Sequence, residues 1–379
     1  MEIVRLKASD YDEWLYVLNT VFGRHNQKEM DFEKELPAMC VRDDEYMGKH
    51  FAVKEDGRIC ALLGVYPLPT RIGDQELMFS TVGNVATLPE YEGRGYMRAL
   101  MQEAMKELER IGADASRLGG ARQRYNRYGY ESCGREYHFT INDHTAKYCF
   151  TQGTKVYFKE ISAGDKKELA WIENLRSGEH MQVHRPRPYE TLRAWQNRPF
   201  IALNEKGEMI GYLVSSQNRA GLSEVAAKDV AALKNMLFCW QKEVGGAISF
   251  VLSPSQWEAV RYFSQVAAGM GMNPPCHFKM IHYDRVADAL LKLKVSYTPG
   301  LVQGEQVIEI KGWGNLLLYN KNGQAFCKKT DKAASISLEP LAASRFLFGP
   351  FEPSAVTDCG EFLSALLPLP LGWSTLDRV

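Results

Sequence analysis

The sequence predicts an α+β protein of three closely packed domains, 1–150, 151–284 and 285–379. Three observations carry this. In the first domain a helix, an antiparallel meander, a glycine loop, a second helix and a further strand follow in order. In the second, the order helix, strand, strand, helix, strand returns without any glycine loop, as a degenerate repeat. In the third, short strand patterns alternate with helical stretches. The chain of 379 residues is too long for one ordinary core.

The first helix is expected over about Tyr11–Phe22, because Tyr11, Trp14, Leu15, Leu18, Val21 and Phe22 recur at helical spacing. Ser9 and Asp12 form a capping-box-like start and Gly23 a stop. Trp14 and Phe22 fit its core side, with a place in a substrate pocket as the lesser reading. Phe51-Ala52-Val53 and Ile59–Tyr66 flank an Asp56-Gly57 hairpin signal, and Ile72 and Leu77 flank a turn at Gly73-Asp74. The run Leu77–Leu88 then enters the glycine loop. Met97, Leu100, Met101, Ala104, Met105, Leu108 and Ile111 share one face of the next helix, before a strand at Asp114–Leu118. Polar Thr151-Gln152-Gly153 marks a boundary. A helix from Ser162, strands about Glu205-Lys206-Gly207, a helix over Val230–Val244 and a strand at Ala247–Leu252 follow. The last domain reads as a helix at Val286–Leu293 and strands at Gln306–Ile310, Gly314–Tyr319, Gln324–Lys328 and Ser335–Ser337. Helices are expected at Leu338–Phe346 and Glu361–Leu366.

The composition excludes several classes. Lys+Arg and Asp+Glu number 46 each, so no overall field points to nucleic acid or a membrane surface as partner. Met1-Glu2-Ile3-Val4-Arg5 lacks the apolar core of a signal peptide, and no apolar run approaches the roughly 20 residues that span a bilayer. The eight cysteines are scattered without a CxxC pair, which fits neither a zinc site nor a disulfide framework and suits a reduced, cytoplasmic setting. His180 and His184 have i, i+4 spacing, but Arg185-Pro186 follows and no carboxylate partner is evident, so no metal is expected.

The chemistry concentrates at Val85–Met101. A β-branched run ends at Pro89, Gly93 and Gly95 follow, and an amphipathic helix begins. Free N–H groups and the positive end of a helix dipole converge there, making a pyrophosphate cradle. The dinucleotide fingerprint needs a third glycine and an early parallel unit, and the Walker loop needs Gly-Lys-Ser/Thr; both are absent.

Glu92-Gly93-Arg94-Gly95-Tyr96-Met97 resembles motif A of the GNAT acetyltransferase superfamily, R/Q-x-x-G-x-G/A, with Glu92 and Met97 as departures. Ala121-x-x-x-Tyr125-x-x-x-Gly129-Tyr130 resembles its later A-x-x-x-Y-x-x-x-G-F element. Arg94-Gly95-Tyr96-Met97-Arg98-Ala99-Leu100, the Tyr125-Asn126-Arg127-Tyr128-Gly129-Tyr130 segment and the total length are similar to the Eis (enhanced intracellular survival) acetyltransferases. That resemblance implies two GNAT-like mixed-sheet domains, the first active and the second without the cofactor loop, then a sterol-carrier-protein-like domain. It implies acetyl-CoA as co-substrate, an amine as acceptor (an aminoglycoside-like polyamine, a lysine side chain or a small amine) and a homo-oligomer, a hexamer in the family.

Transfer from a thioester needs a carbonyl clamp, a proton donor for sulfur and an acceptor for the amine proton. The expected clamp is the backbone of Val85, Ala86 and Thr87. The amides of Gly93, Arg94, Gly95, Tyr96 and Met97 are expected to hold the pyrophosphate, with Arg94 and Arg98 adding charge. Tyr125 is the expected acid, since a tyrosine near pKa ~10 is protonated at neutral pH and a thiol lies near ~8.5. The resemblance makes the terminal carboxylate of Val379 the base, with Leu371-Gly372-Trp373 as an apolar anchor for the tail; another carboxylate or water remains the alternative. Arg378 is out of character there, because an acidic residue would better hold a cationic amine. Neither motif contains a cysteine nucleophile, so direct transfer is expected. Two rivals stand beside this reading: a non-catalytic acyl-CoA sensor or scaffold, which would bind the coenzyme without turnover, and a lipid-binding protein acting through its third domain.

Overall fold

The structure is a computed structural model describing residues 2–150 and 153–378. The chain opens with β1 (Glu2–Arg5), followed by β2 (His50–Glu55), β3 (Arg58–Ile72) and β4 (Gln75–Thr87), all paired antiparallel with their neighbours. Asp56 and Gly57 have φ of 48° and 79°, the twist that a two-residue hairpin turn requires between β2 and β3. The Tyr96–Arg110 helix then crosses over to β5 (Ala115–Leu118), which pairs parallel to β4. Beyond β5 the sheet continues through strand Cys276–Met280 to β6 (Glu131–Cys133).

Helices cover both faces of this sheet. Leu100, Met101, Ala104 and Leu108 of the second helix are buried against Val53, Cys60 and Leu63. Trp14, Val17 and Leu18 of the first helix pack beside Ala52, Leu62 and Ala86. Each such large apolar side chain contributes about 1.5–3 kcal/mol by leaving water.

The first helix runs Tyr11–Asn26, past the expected stop. Gly23 is interior to it, and Gln27 takes the left-handed closing position at φ 53°. A Cβ on Gly23 would lie 3.1 Å from the Lys28 carbonyl oxygen, so this glycine makes room for the returning chain. Its start also differs: Asp10 precedes the helix and accepts the Lys7 N–H at 2.8 Å, whereas Asp12 faces Arg42.

The second sheet has the strand order 269–273, β7 (Glu136–Ile141), 248–252, 221–227, 209–215, 198–203, 157–160. Strands 198–203, 209–215 and 221–227 form an antiparallel meander, and the Val230–Val244 helix crosses to the parallel strand 248–252. This repeats the β2–β5 plan. A third sheet, order 324–330, 314–321, 304–310, 336–338, packs on the Tyr283–Tyr297 helix.

The sheets do not follow the linear division at 150/151 and 284/285. The chain leaves the first sheet after Cys133, through Gly134 at φ 85°, and β7 already belongs to the second. Strand Cys276–Met280 returns between β5 and β6. Thr151 and Gln152 lie outside the described residues. The lower half of the first sheet and the last third of the chain share one core, in which Phe79, Phe278, Trp373, Leu290 and Phe346 are buried.

Candidate active site

Parallel pairing of β4 and β5 covers Phe79–Ala115, Ser80–Ser116 and Thr81–Arg117 and ends there. Beyond it β4 bulges. Leu62 of β3 faces Ala86 and Gly64 faces Gly83, so Asn84 and Val85 together oppose Leu63. Asn84 takes φ 54°, a left-handed conformation that asparagine tolerates better than most residues.

A buried chain of hydrogen bonds holds that bulge. The Asn84 amide donates to the Tyr66 hydroxyl at 2.7 Å, and the hydroxyl meets His50 Nε2 at 2.8 Å. His50 Nδ1 lies 3.1 Å from the Met47 carbonyl. Burial pushes the His50 pKa down to about 4, so the ring is neutral. The carbonyl can only accept, so Nδ1–H donates to it and Nε2 accepts from Tyr66.

The parting of β4 and β5 opens into two cavities that share Val21, His25, Val85 and Arg124. The larger, ≈ 840 Å³, lies against the glycine loop. Gly93 and Gly95 have φ of 79° and 83°, and a Cβ at either would meet nothing within 4 Å; their conformation, not crowding, calls for glycine. Gly95 caps the Tyr96–Arg110 helix, whose first turn contains no acidic residue. The first helical bond runs from Ala99 N–H to the Gly95 carbonyl, leaving the preceding amides without helical partners. Arg24, Arg98, Arg124 and Arg127 line the same cavity, a fit for a pyrophosphate and its neighbouring phosphate.

The expected loop residues separate here. Val85, Thr87, Gly93, Gly95, Tyr96, Met97 and Arg98 line the cavity. Arg94 does not: its guanidinium donates to Glu55 at 3.1 Å and to the Glu90 carbonyl at 3.3 Å and stacks on Tyr91. Ala86 points into the core beside Trp14 and Leu18. The Tyr96 hydroxyl also turns away, to Glu55.

The smaller cavity, ≈ 400 Å³, contains Tyr125 together with Thr81, Asn84 and Arg117. Tyr125 ends a short helix, and burial raises its pKa, so it is protonated at neutral pH. Gly120, at φ 108°, leaves room for its ring: a Cβ there would lie 3.0 Å from Tyr125 Cε2. Phe22, Phe32, Leu36 and Met39 form an apolar wall, so Phe22 belongs to the pocket, whereas Trp14 is wholly core. Trp195 from the second sheet's side reaches the same cavity. The segment after the first helix, Trp195, and the Asn84 bulge escaped the sequence reading. Gly83-Asn84 inside a β-branched run was the available signal for the bulge.

The second unit shows why one cradle suffices. The helix corresponding to the glycine-loop helix begins at Asp229, whose carboxylate accepts the Ala232 N–H at 2.8 Å. A carboxylate at that terminus satisfies the amide and repels an anion. The opening beyond its parallel strand pair is occupied instead by the chain's own tail. Trp373 lies 5.2 Å from Phe79 and donates its indole N–H to the Asp377 carbonyl at 2.8 Å. Arg185, 5% exposed, donates to Asp377 and to Glu224, each at 2.6 Å. This anchoring brings Arg378 to the cavity of Tyr125. Val379 lies outside the described residues. His180 and His184 flank the strand Met181–Val183, so their spacing is not that of a helix face. Among the described residues no group of three or more His, Cys, Asp or Glu is placed to hold a metal ion, and no helix is long and apolar enough to cross a membrane.

Residues 2–133 match the family described as acetyltransferase (GNAT) domain. No curated protein sequence matches the chain. Among solved structures, a GCN5-related N-acetyltransferase from Anabaena variabilis superposes with a TM-score of 0.68 at 15% identity, over 98% of each chain. Eis1 from Mycobacterium abscessus superposes with a TM-score of 0.67 at 13% identity, over 99% of this chain and 98% of that one. A GCN5-related N-acetyltransferase from Kribbella flavida gives 0.63 at 16% identity, over 97% and 96%. These similarities are of fold. The first sheet and its glycine-loop helix thus form a GNAT acetyltransferase domain, and the protein is an acetyltransferase. Over nearly its whole length the chain is similar in fold to Eis1.

Proposed function

We propose that this protein moves an acetyl group from acetyl-CoA directly to an amine. The carrying observation is that one bulged strand, β4, separates a cationic, amide-lined cavity from a second cavity containing Tyr125. The amides of Gly93–Arg98, with Arg98 and Arg24, hold the pyrophosphate, while Arg94 braces the loop from outside. The backbone of Val85–Thr87 orients the thioester arm; the side chain of Ala86 packs behind it. The acyl carrier supplies an activated thioester carbonyl when bound. The neutral amine forms the new C–N bond as the C–S bond breaks. Tyr125 gives its proton to the departing sulfur, and the amine's surplus proton goes to a base. The resemblance assigns that base to the Val379 carboxylate, and the presence of Arg378 in the lining of the Tyr125 cavity supports it.

The test is thiol release from acetyl-CoA across a panel of amines, with Tyr125→Phe alongside. The variant is expected to lose about 10²-fold or more in kcat while acetyl-CoA still binds. Coenzyme binding without turnover on any amine would establish the sensor reading instead.

A further inference from the structure

We infer that the acceptor is an amine that also carries a carboxylate next to an apolar side chain, an amino-acid-like molecule rather than a polycation, and that Arg117 receives the carboxylate. The inference rests on the acetyl-transfer reading above and narrows its substrate class. The ionisable side chains lining the acceptor cavity besides Tyr125 are His25, Arg117, Arg124 and Arg378; no Asp or Glu lines it among the described residues. Glu136 pairs with Arg378 from outside the cavity. Among the described residues a polyamine entering here would meet cations and no acidic side chain, leaving the terminal carboxylate assigned as base as its one counter-charge.

Arg117 is the sharper observation. It is 1% exposed, inside a sheet, on the last matched pair before the strands part. Its Nε–H donates to Thr81 Oγ1 at 2.8 Å, and Nη1 has no hydrogen-bond partner among the described residues. A buried guanidinium edge without an acceptor is costly, and a carboxylate matches its planar fork in a two-point contact. Arg117 and Tyr125 line one cavity, so a molecule anchored by its carboxylate at the first presents a neighbouring amine towards the second. Phe32, Leu36 and Met39 offer the complement to an apolar side chain. Trp195 and Gln196, both at positive φ (59° and 57°), are held over this wall, with Gln196 bonded to Glu35 at 3.1 Å. Backbone held in this conformation away from glycine concentrates at ligand clamps.

A carboxylate at Arg117 has two sources, the acceptor or the chain's own terminus, and the experiment separates them. Thiol release is measured on the full chain with matched pairs, L-phenylalanine against phenethylamine and L-leucine against isopentylamine, and with spermidine and kanamycin. The carboxylate-bearing member is expected to exceed its partner, and both polycations, at least 100-fold in kcat/KM. Arg117→Met is expected to lower that ratio at least tenfold and Arg117→Lys to lower it less, with acetyl-CoA affinity by calorimetry within threefold. Equal rates within the wild-type pairs, or a preference for a polycation, would overturn the inference while leaving amine acetylation standing. Equal loss on both members in Arg117→Met would assign Arg117 to the chain's own terminus and overturn it as well. Acetyl-CoA binding with no thiol release to any amine would remove the transfer reading itself. If Arg117→Met fails to fold, the wild-type pairs still decide.

Discussion

Arg94 and Arg98 stand four residues apart in a single motif, yet of the two only Arg98 faces the phosphate cavity. Arg94 is spent on Glu55 and Tyr91. Arg98→Ala is therefore expected to raise the KM for acetyl-CoA about tenfold, the worth of one charge-assisted contact, and Arg94→Ala much less; a titration of initial rates separates them. Gly95→Ala places a Cβ on a backbone at φ 83°, with a strain of roughly 1 kcal/mol, and tilts the amides that meet the anion. Its KM for acetyl-CoA rises while its kcat changes little. For Tyr125, burial raises the pKa above its ordinary value. The acid form is the working form, so the rate set by this group is expected to stay level up to about pH 10 and to fall only above it. A pH–rate profile with an alkaline limb near neutrality would reject Tyr125 as the proton donor.

At the scale of elements, two helices with the same topological place have opposite termini. The glycine-loop helix presents bare amides, whereas Asp229 closes the other. One acetyl-CoA per chain is therefore expected by calorimetry. Asp229→Ala is expected to cost about 1 kcal/mol as a lost cap without creating a second site. The tail is held by charge as well as by Trp373. Desolvation alone would raise the Glu224 pKa, but the Arg185 guanidinium outweighs it and holds the carboxyl below its usual range. A depressed folded value means that this contribution is complete above the unfolded carboxylate pKa, roughly 4.3, and is lost as pH falls through the lower folded one. Asp377→Asn removes one partner from Arg185 in a buried site. It is expected to destabilise by about 3 kcal/mol, seen as a lower midpoint in urea, and to impair turnover more than acetyl-CoA binding, because the tail carries Arg378 to the acceptor cavity.

At the scale of the whole molecule, the catalytic sheet is completed from a distance. Strand Cys276–Met280 separates β5 from β6, and Phe278 on it is wholly buried. A fragment ending near residue 135 would leave both strand edges unpaired and a gap in the core. It is expected to lack a cooperative unfolding transition, in contrast to the full chain. Much was legible beforehand, because local rules govern it: the hairpin at Asp56-Gly57, the amphipathic 96–110 helix and the glycine turn that precedes it. Of the second unit the strand pair, helix and final strand were legible, but the meander's third strand, Gly221–Ala227, was not. What remained hidden depends on partners far away in the chain. The fate of Arg94 was decided by Glu55, the lining of the Tyr125 cavity by Trp195, and the change of sheet at Gly134 by strands more than a hundred residues on. The sequence by itself determined the elements and the glycine turn that opens the 96–110 helix, since dihedral preference and spacing act over a few residues. Only the tertiary structure decided which side chains face the opening between β4 and β5, since burial and charge pairing arise where distant segments meet.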